Sequence, residues 1–207
     1  MNVKPFRPLP LALAAALACV PFAALAQSGT MPGVESSVST RAAELPRDSV
    51  YQLPLRLTDQ HGRTLQWQSR RGKPQLVSMF YASCRYICPL IIEGGKAVER
   101  ALTPAQRERL GVMLISMDPE RDTPQALAAL AEERRVDPRW VLAAPAPGDV
   151  RSVAGVLDVR YRQLSDGEFN HTSALILLDA EGRIVARTEK IGTRPDPEFV
   201  TAVQALL

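Results

Sequence analysis

The sequence predicts an α/β fold in which helices cover both faces of a central mixed sheet. Two nearly continuous apolar runs, at residues 75–81 and 112–117, have the composition of central strands that are buried on both sides. Helical patterns alternate with these strands, which is the order expected when parallel strands are joined by helical crossovers. A hairpin pattern near each end of the domain adds antiparallel strands, and these make the predicted sheet mixed.

The predicted first half starts with a hairpin and continues into a helical crossover. Apolar residues alternate over residues 53–57 as in a half-buried strand. A turn at residues 59–62 leads to a second arm at residues 63–67. The first central strand is followed by a helix at residues 90–102, and a second short helix comes next.

The predicted second half repeats strand and helix and ends in another hairpin. Thr123 has the pattern of a helix N-cap, with Pro124 at the first helical position. The later elements are a strand at 140–142, a helix at 149–157, hairpin strands at 172–178 and 183–187, and a helix at 197–207. This order is similar to a thioredoxin-like fold with an added N-terminal β-hairpin.

The first 26 residues have the pattern of a secretory signal. Lys4 and Arg7 precede an apolar stretch, and Ala24-Leu25-Ala26 is a small-residue cleavage site. We therefore expect cleavage after Ala26, a flexible leader over residues 27–49, and one domain over residues 50–207. Cys19 follows a weak version of a lipid-attachment motif, so a lipid anchor at this cysteine is the alternative.

The charge of the chain excludes some classes of partner. The net charge of the full sequence is +3, and removal of Lys4 and Arg7 with the signal lowers it to +1. So small a charge argues against binding to nucleic acid or strong binding to a membrane surface.

Cys84 and Cys88 remain after signal removal, and they lie where a buried strand ends and a helix begins. Residues four apart on a helix share a face, and a helix N-terminus stabilises thiolates. The pair can be a structural disulfide, a redox-active dithiol or a site for a soft metal. A disulfide across so short a loop removes little chain entropy, which disfavours the purely structural role. Arg85, between the cysteines, adds a charge that lowers thiol pKa and opposes a cationic metal.

His171 is the candidate third ligand, because it starts a predicted buried strand at the edge of the sheet where the cysteine loop lies. Two thiolates and one imidazole suit copper, as Cu(I) or Cu(II), whereas a structural zinc site would need a fourth protein ligand. His61 falls in a predicted turn, where we expect it to be solvated. Met79 and Met117 fall within buried strand runs, where packing in the core is the expected role.

A polar cluster of Asp118, Arg121 and Asp122 follows the second central strand. We expect these side chains to cap the next helix and to neutralise one another. The alternative is that Asp118 sets the charge beside the cysteine loop or contributes to partner docking.

Three segments in this order resemble the Sco/SenC family of copper chaperones: Met79-Phe80-Tyr81-Ala82-Ser83-Cys84-x-x-x-Cys88-Pro89, Ser116-Met117-Asp118-Pro119-Glu120-Arg121-Asp122-Thr123-Pro124, and His171-Thr172. The resemblance runs from about residue 53 to the end of the chain. It implies a periplasmic, thioredoxin-like protein that binds one copper ion and helps to assemble the copper A site of cytochrome c oxidase. It also implies that Cys84, Cys88 and His171 are the copper ligands. The implied partner is the copper A subunit or another copper chaperone, and we expect a monomer.

The alternative function is that of a thiol–disulfide oxidoreductase that keeps the copper-site cysteines of the partner reduced. Cys84 would be the attacking thiolate and Cys88 the resolving thiol. A peroxidase would pair its cysteine with a nearby Thr and Pro upstream, whereas the residues just before Cys84 are Tyr81-Ala82-Ser83. The chain also departs from many Sco/SenC members: Arg85 stands where they have proline, an uncleaved membrane anchor is not evident, and the stretch at residues 161–170 is short.

Overall fold

The computed structural model describes residues 44–84 and 86–207, so the predicted signal, Cys19, Arg85 and most of the leader lie outside the described residues. The strands in this part of the chain are β1 (Arg56–Asp59), β2 (Thr64–Gln66), β3 (Gln75–Phe80), β4 (Gly111–Ser116), β5 (Val141–Pro145), β6 (Tyr161–Gln163), β7 (Phe169–His171), β8 (Leu175–Leu178) and β9 (Ile184–Thr188). The α-helices are α1 (Ile87–Arg100), α2 (Pro104–Arg109), α3 (Pro124–Glu133), α4 (Val150–Val156) and α5 (Pro197–Leu206). Short 3₁₀ helices lie at Val50–Gln52, Trp67–Arg70 and Pro147–Asp149.

Seven strands form one mixed sheet in the order β2-β1-β5-β4-β3-β8-β9. Strand β4 pairs in parallel with β3 and β5, and the remaining pairs of this sheet are antiparallel. Every residue of β3, β4 and β8 is buried. Because successive side chains of a strand point to opposite faces, both faces of the sheet are covered at its centre. The predicted mixed α/β sheet with an N-terminal hairpin is therefore confirmed.

The helices pack on this sheet in the predicted order. Helix α1 contacts β3 and β8, α3 contacts β1 and β5, and α5 contacts β9. The predicted cap of α3 is confirmed, because the Thr123 hydroxyl accepts a hydrogen bond from the Ala126 N–H at 3.3 Å and Pro124 is the first helical residue. In residues 44–84 and 86–207, none of the helices has the length and apolar character needed to cross a bilayer.

Helix α1 begins at Ile87, three residues before the predicted start at residue 90. Pro89 is therefore inside the first turn, which tolerates proline because the N–H groups there have no partner within the helix. The earlier start places Cys88 on the helix itself.

The prediction that His171 starts the buried strand was wrong. His171 ends β7, which pairs with β6 in a separate two-stranded sheet, and the buried strand β8 starts at Leu175. The Thr172 N–H extends the β6–β7 pairing by donating to the Arg160 carbonyl at 2.8 Å. The chain reaches the main sheet at Ala174, whose carbonyl accepts a hydrogen bond from the Ser78 hydroxyl at 2.6 Å.

Candidate metal centre

The two cysteines lie at the junction of β3 and α1, as the sequence predicted. Cys84 is in the loop after β3, Cys88 is in the first turn of α1, and both are buried free thiols. The Cys88 N–H points at the Cys84 sulfur at 3.4 Å, and the Tyr81 N–H points at the Cys88 sulfur at 3.5 Å. Each sulfur thus accepts a backbone N–H, an arrangement that stabilises a thiolate.

The two thiols are not equivalent. Hydrogen bonding from the Cys88 thiol lowers the pKa of Cys84 well below its usual range, and the backbone N–H groups of Cys88 and Tyr86 act in the same direction. The Cys84 sulfur and burial raise the pKa of Cys88. At neutral pH, Cys84 is therefore the thiolate and Cys88 keeps its proton.

A buried carboxylate holds the loop that leads to Cys84. The Ala82 N–H lies 3.1 and 3.0 Å from the two carboxylate oxygens of Asp122, and the Ser116 hydroxyl donates to Asp122 at 2.6 Å. Burial raises the pKa of Asp122 above its usual range. Asp118 instead forms an ion pair with Arg121. Asp122, rather than Asp118, is therefore the carboxylate of the predicted polar cluster that is bonded to the cysteine loop.

The ring of His171 has one bonded and one unpartnered nitrogen. Nδ1 lies 3.1 Å from the Thr172 carbonyl oxygen, and Nε2 is buried without a hydrogen-bond partner among the described residues. Because a carbonyl can only accept, this contact assigns the proton of the neutral ring to Nδ1 and leaves a lone pair on Nε2. A ring held in this way is prepared to bind a metal through Nε2.

Tyr81 connects the cysteine loop with the β6–β7 hairpin that carries His171. Its hydroxyl donates to the Glu168 carboxylate at 2.8 Å and accepts from the Phe169 N–H at 3.4 Å. The Tyr81 ring meets the rings of Phe169 and His171 edge to face, with centroids 5.1 and 5.9 Å away. Burial, the Glu168 carboxylate and the Cys84 sulfur raise the pKa of Tyr81.

The structure brings His171 against Tyr81, at the root of the cysteine loop, but it does not assemble the predicted ligands into one cluster. In the part of the chain that the structure describes, no three His, Cys, Asp or Glu side chains converge closely enough to share a metal ion. His61 lies in an exposed turn, as predicted. Met79 and Met117 are buried in the core, also as predicted.

Sequence reasoning missed the positions of Tyr81, Glu168 and Asp122 around the site. A tyrosine at the end of an apolar strand was an available signal, because a buried hydroxyl requires a partner. Glu168 gave no signal, since its partner is 87 residues away in sequence. The sequence around Asp122 indicates only a role at the following helix, because its partner Ala82 is 40 residues away.

The fold and the paired thiols define a thioredoxin-like protein with a dithiol site. The sequence profile of the SCO1/SenC family matches residues 44–206, and the chain therefore belongs to this family. A protein of Stutzerimonas stutzeri, named as a candidate copper-binding protein, is 31% identical over 110 residues. That match covers 50% of this chain and 52% of the relative, so the chain spans about half the length of this curated relative.

Solved structures of the same family share the fold. ScoI of Bradyrhizobium japonicum, solved with copper bound, is 28% identical, with a TM-score of 0.63 over 74% of this chain and 98% of that chain. The apo Sco1 protein of Thermus thermophilus is 26% identical, with a TM-score of 0.60 over 80% of this chain and 99% of that chain. The predicted thioredoxin-like fold and the resemblance to Sco/SenC proteins are both confirmed.

Proposed function

We propose that this protein handles copper and holds one copper ion through Cys84, Cys88 and His171. The observation that carries the proposal is the buried, unpartnered Nε2 of His171, whose ring contacts the tyrosine at the root of the cysteine loop. The copper-bound Bradyrhizobium relative and the Stutzerimonas relative support copper as the ion. Two thiolates and an imidazole are ligands that copper accepts in either oxidation state.

The proposed ligand set suits transfer of copper. Three protein ligands leave a position at which a ligand of the partner can enter before the copper leaves. The family resemblance makes the copper A site of cytochrome c oxidase the proposed destination, reached directly or through another chaperone. Cys84 is already a thiolate, whereas Cys88 must lose its proton before its sulfur binds copper.

A copper titration of the reduced protein tests this proposal. One equivalent of copper should give thiolate-to-copper charge-transfer absorption. Both the absorption and the stoichiometry should change in Cys84→Ser and in His171→Ala. His61→Ala is the matched control, because this exposed histidine should leave both unchanged. If Cys84→Ser and His171→Ala bind copper as the unaltered protein does, the proposed ligand set is wrong.

The unequal thiols favour thiol–disulfide exchange as the second candidate function. The Cys84 thiolate would attack a partner disulfide, form a mixed disulfide and release one partner thiolate. Cys88, after losing its proton, would attack the Cys84 sulfur, which closes a Cys84–Cys88 disulfide and releases the second partner thiol. In Cys88→Ser the mixed disulfide should accumulate with a peptide disulfide as substrate. Failure to trap it, with no exchange by the unaltered protein, argues against this activity.

We also propose export to the periplasm, which rests on the signal pattern of residues 1–26. The mass of the processed protein tests the cleavage site. A chain that starts at Gln27 supports the signal, and a lipid-modified chain that starts at Cys19 supports the anchored alternative.

A further inference from the structure

An open cleft of about 1120 Å³ lies beside His171, between the β6–β7 hairpin and the start of α1. Arg160 and Arg162 line it together with the apolar side chains of Ile87 and Leu164. Of the candidate copper ligands, His171 lines the cleft, and Ile87 directly precedes the buried Cys88 in sequence. A molecule in this cleft would therefore lie next to His171.

The two arginines give the cleft an excess of positive charge. Among the residues that the structure describes, neither guanidinium group has a hydrogen-bond or ion-pair partner. Glu189 is the one carboxylate among the described lining residues, and it lies 3.5 Å from Arg187. Exposed arginines without carboxylate partners are available to an acidic ligand, and they orient best towards planar carboxylates.

The spacing of the arginines indicates the form of that ligand. Arg162 is in β6, and Arg160 continues the same pairing because its carbonyl accepts the Thr172 N–H. Residues two apart on a strand point to the same side and are separated by roughly 6.6 Å. Carboxylates at positions i and i+2 of an extended chain have the same separation, so such a segment can pair with both arginines.

Apolar surface beside the cleft indicates that the ligand is a protein segment rather than a small anion. Leu164 is 38% exposed within the cleft, Tyr86 at the N-cap of α1 is 86% exposed, and Leu90 in the first turn of α1 is 39% exposed. Exposed aromatic and arginine side chains grouped around apolar surface are typical of protein–protein interfaces.

We propose that this cleft binds an acidic, extended segment of the protein that exchanges copper with this one. Carboxylates at positions i and i+2 of the segment pair with Arg160 and Arg162, and an apolar side chain covers Ile87 and Leu164. The inference rests on the proposed function only in identifying the occupant as the copper partner. Charge pairing at the rim of such an interface speeds encounter and fixes the orientation of the partner.

The test is a titration of the copper-free, ¹⁵N-labelled protein with a synthetic peptide that contains Asp-Leu-Asp, followed by NMR. A peptide of the same length with Asn-Leu-Asn is the control ligand. Saturable shifts should appear at residues 160–173 and at Ile87, and they should require the acidic peptide. In Arg160→Gln/Arg162→Gln the dissociation constant of the acidic peptide should rise by about twofold to thirtyfold, the range for two exposed ion pairs.

The matched control variant is Arg56→Gln/Arg100→Gln, which makes the same change in net charge at two exposed arginines that do not line the cleft. It should change the dissociation constant less than the cleft variant does. Any of three results overturns the proposal: shifts that map elsewhere, equal binding of both peptides, or no saturable shift up to about 1 mM peptide.

A copper titration of the same samples separates this inference from the proposed function. If copper binds through His171 but the peptide does not bind the cleft, the docking inference fails and the proposed function stands. If the peptide binds the cleft but copper binding does not depend on His171, the proposed ligand set fails and the docking site remains.

Discussion

Replacing Tyr81 by phenylalanine removes the hydroxyl that joins the cysteine loop to the hairpin carrying His171. The ring remains, so its edge-to-face contacts with Phe169 and His171 should persist. The lost interactions are the 2.8 Å bond to Glu168, the 3.4 Å bond from the Phe169 N–H and the interaction of the hydroxyl with the Cys84 sulfur. Copper affinity measured together with hydrogen exchange at residues 168–171 therefore tests whether the hydroxyl positions His171.

A hydrogen bond to a charged group contributes about 1.5–3 kcal/mol. Glu168 is half-buried, so solvent screening reduces this contribution, and we expect a loss of about 1 kcal/mol. If the hairpin must be ordered for His171 to bind copper, the same loss appears as a fall of about fivefold in copper affinity. Hydrogen exchange at residues 168–171 should become faster as the hairpin opens more often.

Tyr51→Phe is the matched control. The Tyr51 hydroxyl is buried and has no hydrogen-bond partner in the described part of the chain, and the Tyr51 ring packs against Trp67. Its removal should leave copper affinity unchanged. Copper affinity is measured by competition with a chelator, and stability by urea unfolding. If Tyr81→Phe changes copper affinity no more than Tyr51→Phe, the hydroxyl does not position His171.

Three further predictions follow from the ionisable groups around the site. The alkylation rate of Cys84 should stay high from neutral to mildly acidic pH and fall only well below the usual thiol pKa of about 8.5; an inflection near 8.5 would contradict the assigned thiolate. Copper loading at pH 7 should release about one proton, from Cys88, when followed by calorimetry in buffers of different ionisation enthalpy; release of two protons would show that both thiols start protonated. Asp122→Ala should lower the free energy of unfolding, measured in urea, by about 1–3 kcal/mol, because the Ala82 N–H and the Ser116 hydroxyl lose their acceptor. The control is Glu120→Ala, at an exposed site. Equal stability of the two variants would show that Asp122 does not stabilise the cysteine loop.

Burial of Asp122 also makes the free energy of unfolding depend on pH. Because burial raises its pKa, the folded state binds the Asp122 proton more tightly than the unfolded state does. Stability from this group is therefore greatest at acidic pH and falls as the pH rises from the ordinary value of about 3.9 through the raised value. Asp122→Ala should lack this fall.

The central sheet could be predicted because its signal is local. Nearly continuous apolar runs that alternate with helical patterns indicate buried parallel strands, and the Thr123-Pro124 pair indicates a helix start without reference to the rest of the chain. The position of the two cysteines between a buried strand and a helix could be predicted from the same local pattern.

The β6–β7 hairpin could not be predicted because its strands have three residues each and side chains that are only partly buried or exposed. Contacts with distant residues hold it: Glu168 bonds Tyr81, and the Gly167 carbonyl accepts a hydrogen bond from Arg121. Such contacts leave no periodic pattern in the sequence. His171 could therefore be recognised as a candidate ligand from its residue type, whereas its position at the end of a hairpin strand could not be predicted.

The most direct test of the central claim is copper K-edge X-ray absorption on the protein loaded with one equivalent of copper. We predict two sulfur ligands and one imidazole nitrogen in the unaltered protein. His171→Ala should lose the imidazole contribution and keep both sulfurs, while His61→Ala should keep all three ligands. A site without sulfur, or an imidazole contribution that survives in His171→Ala, would contradict the claim that Cys84, Cys88 and His171 hold the copper.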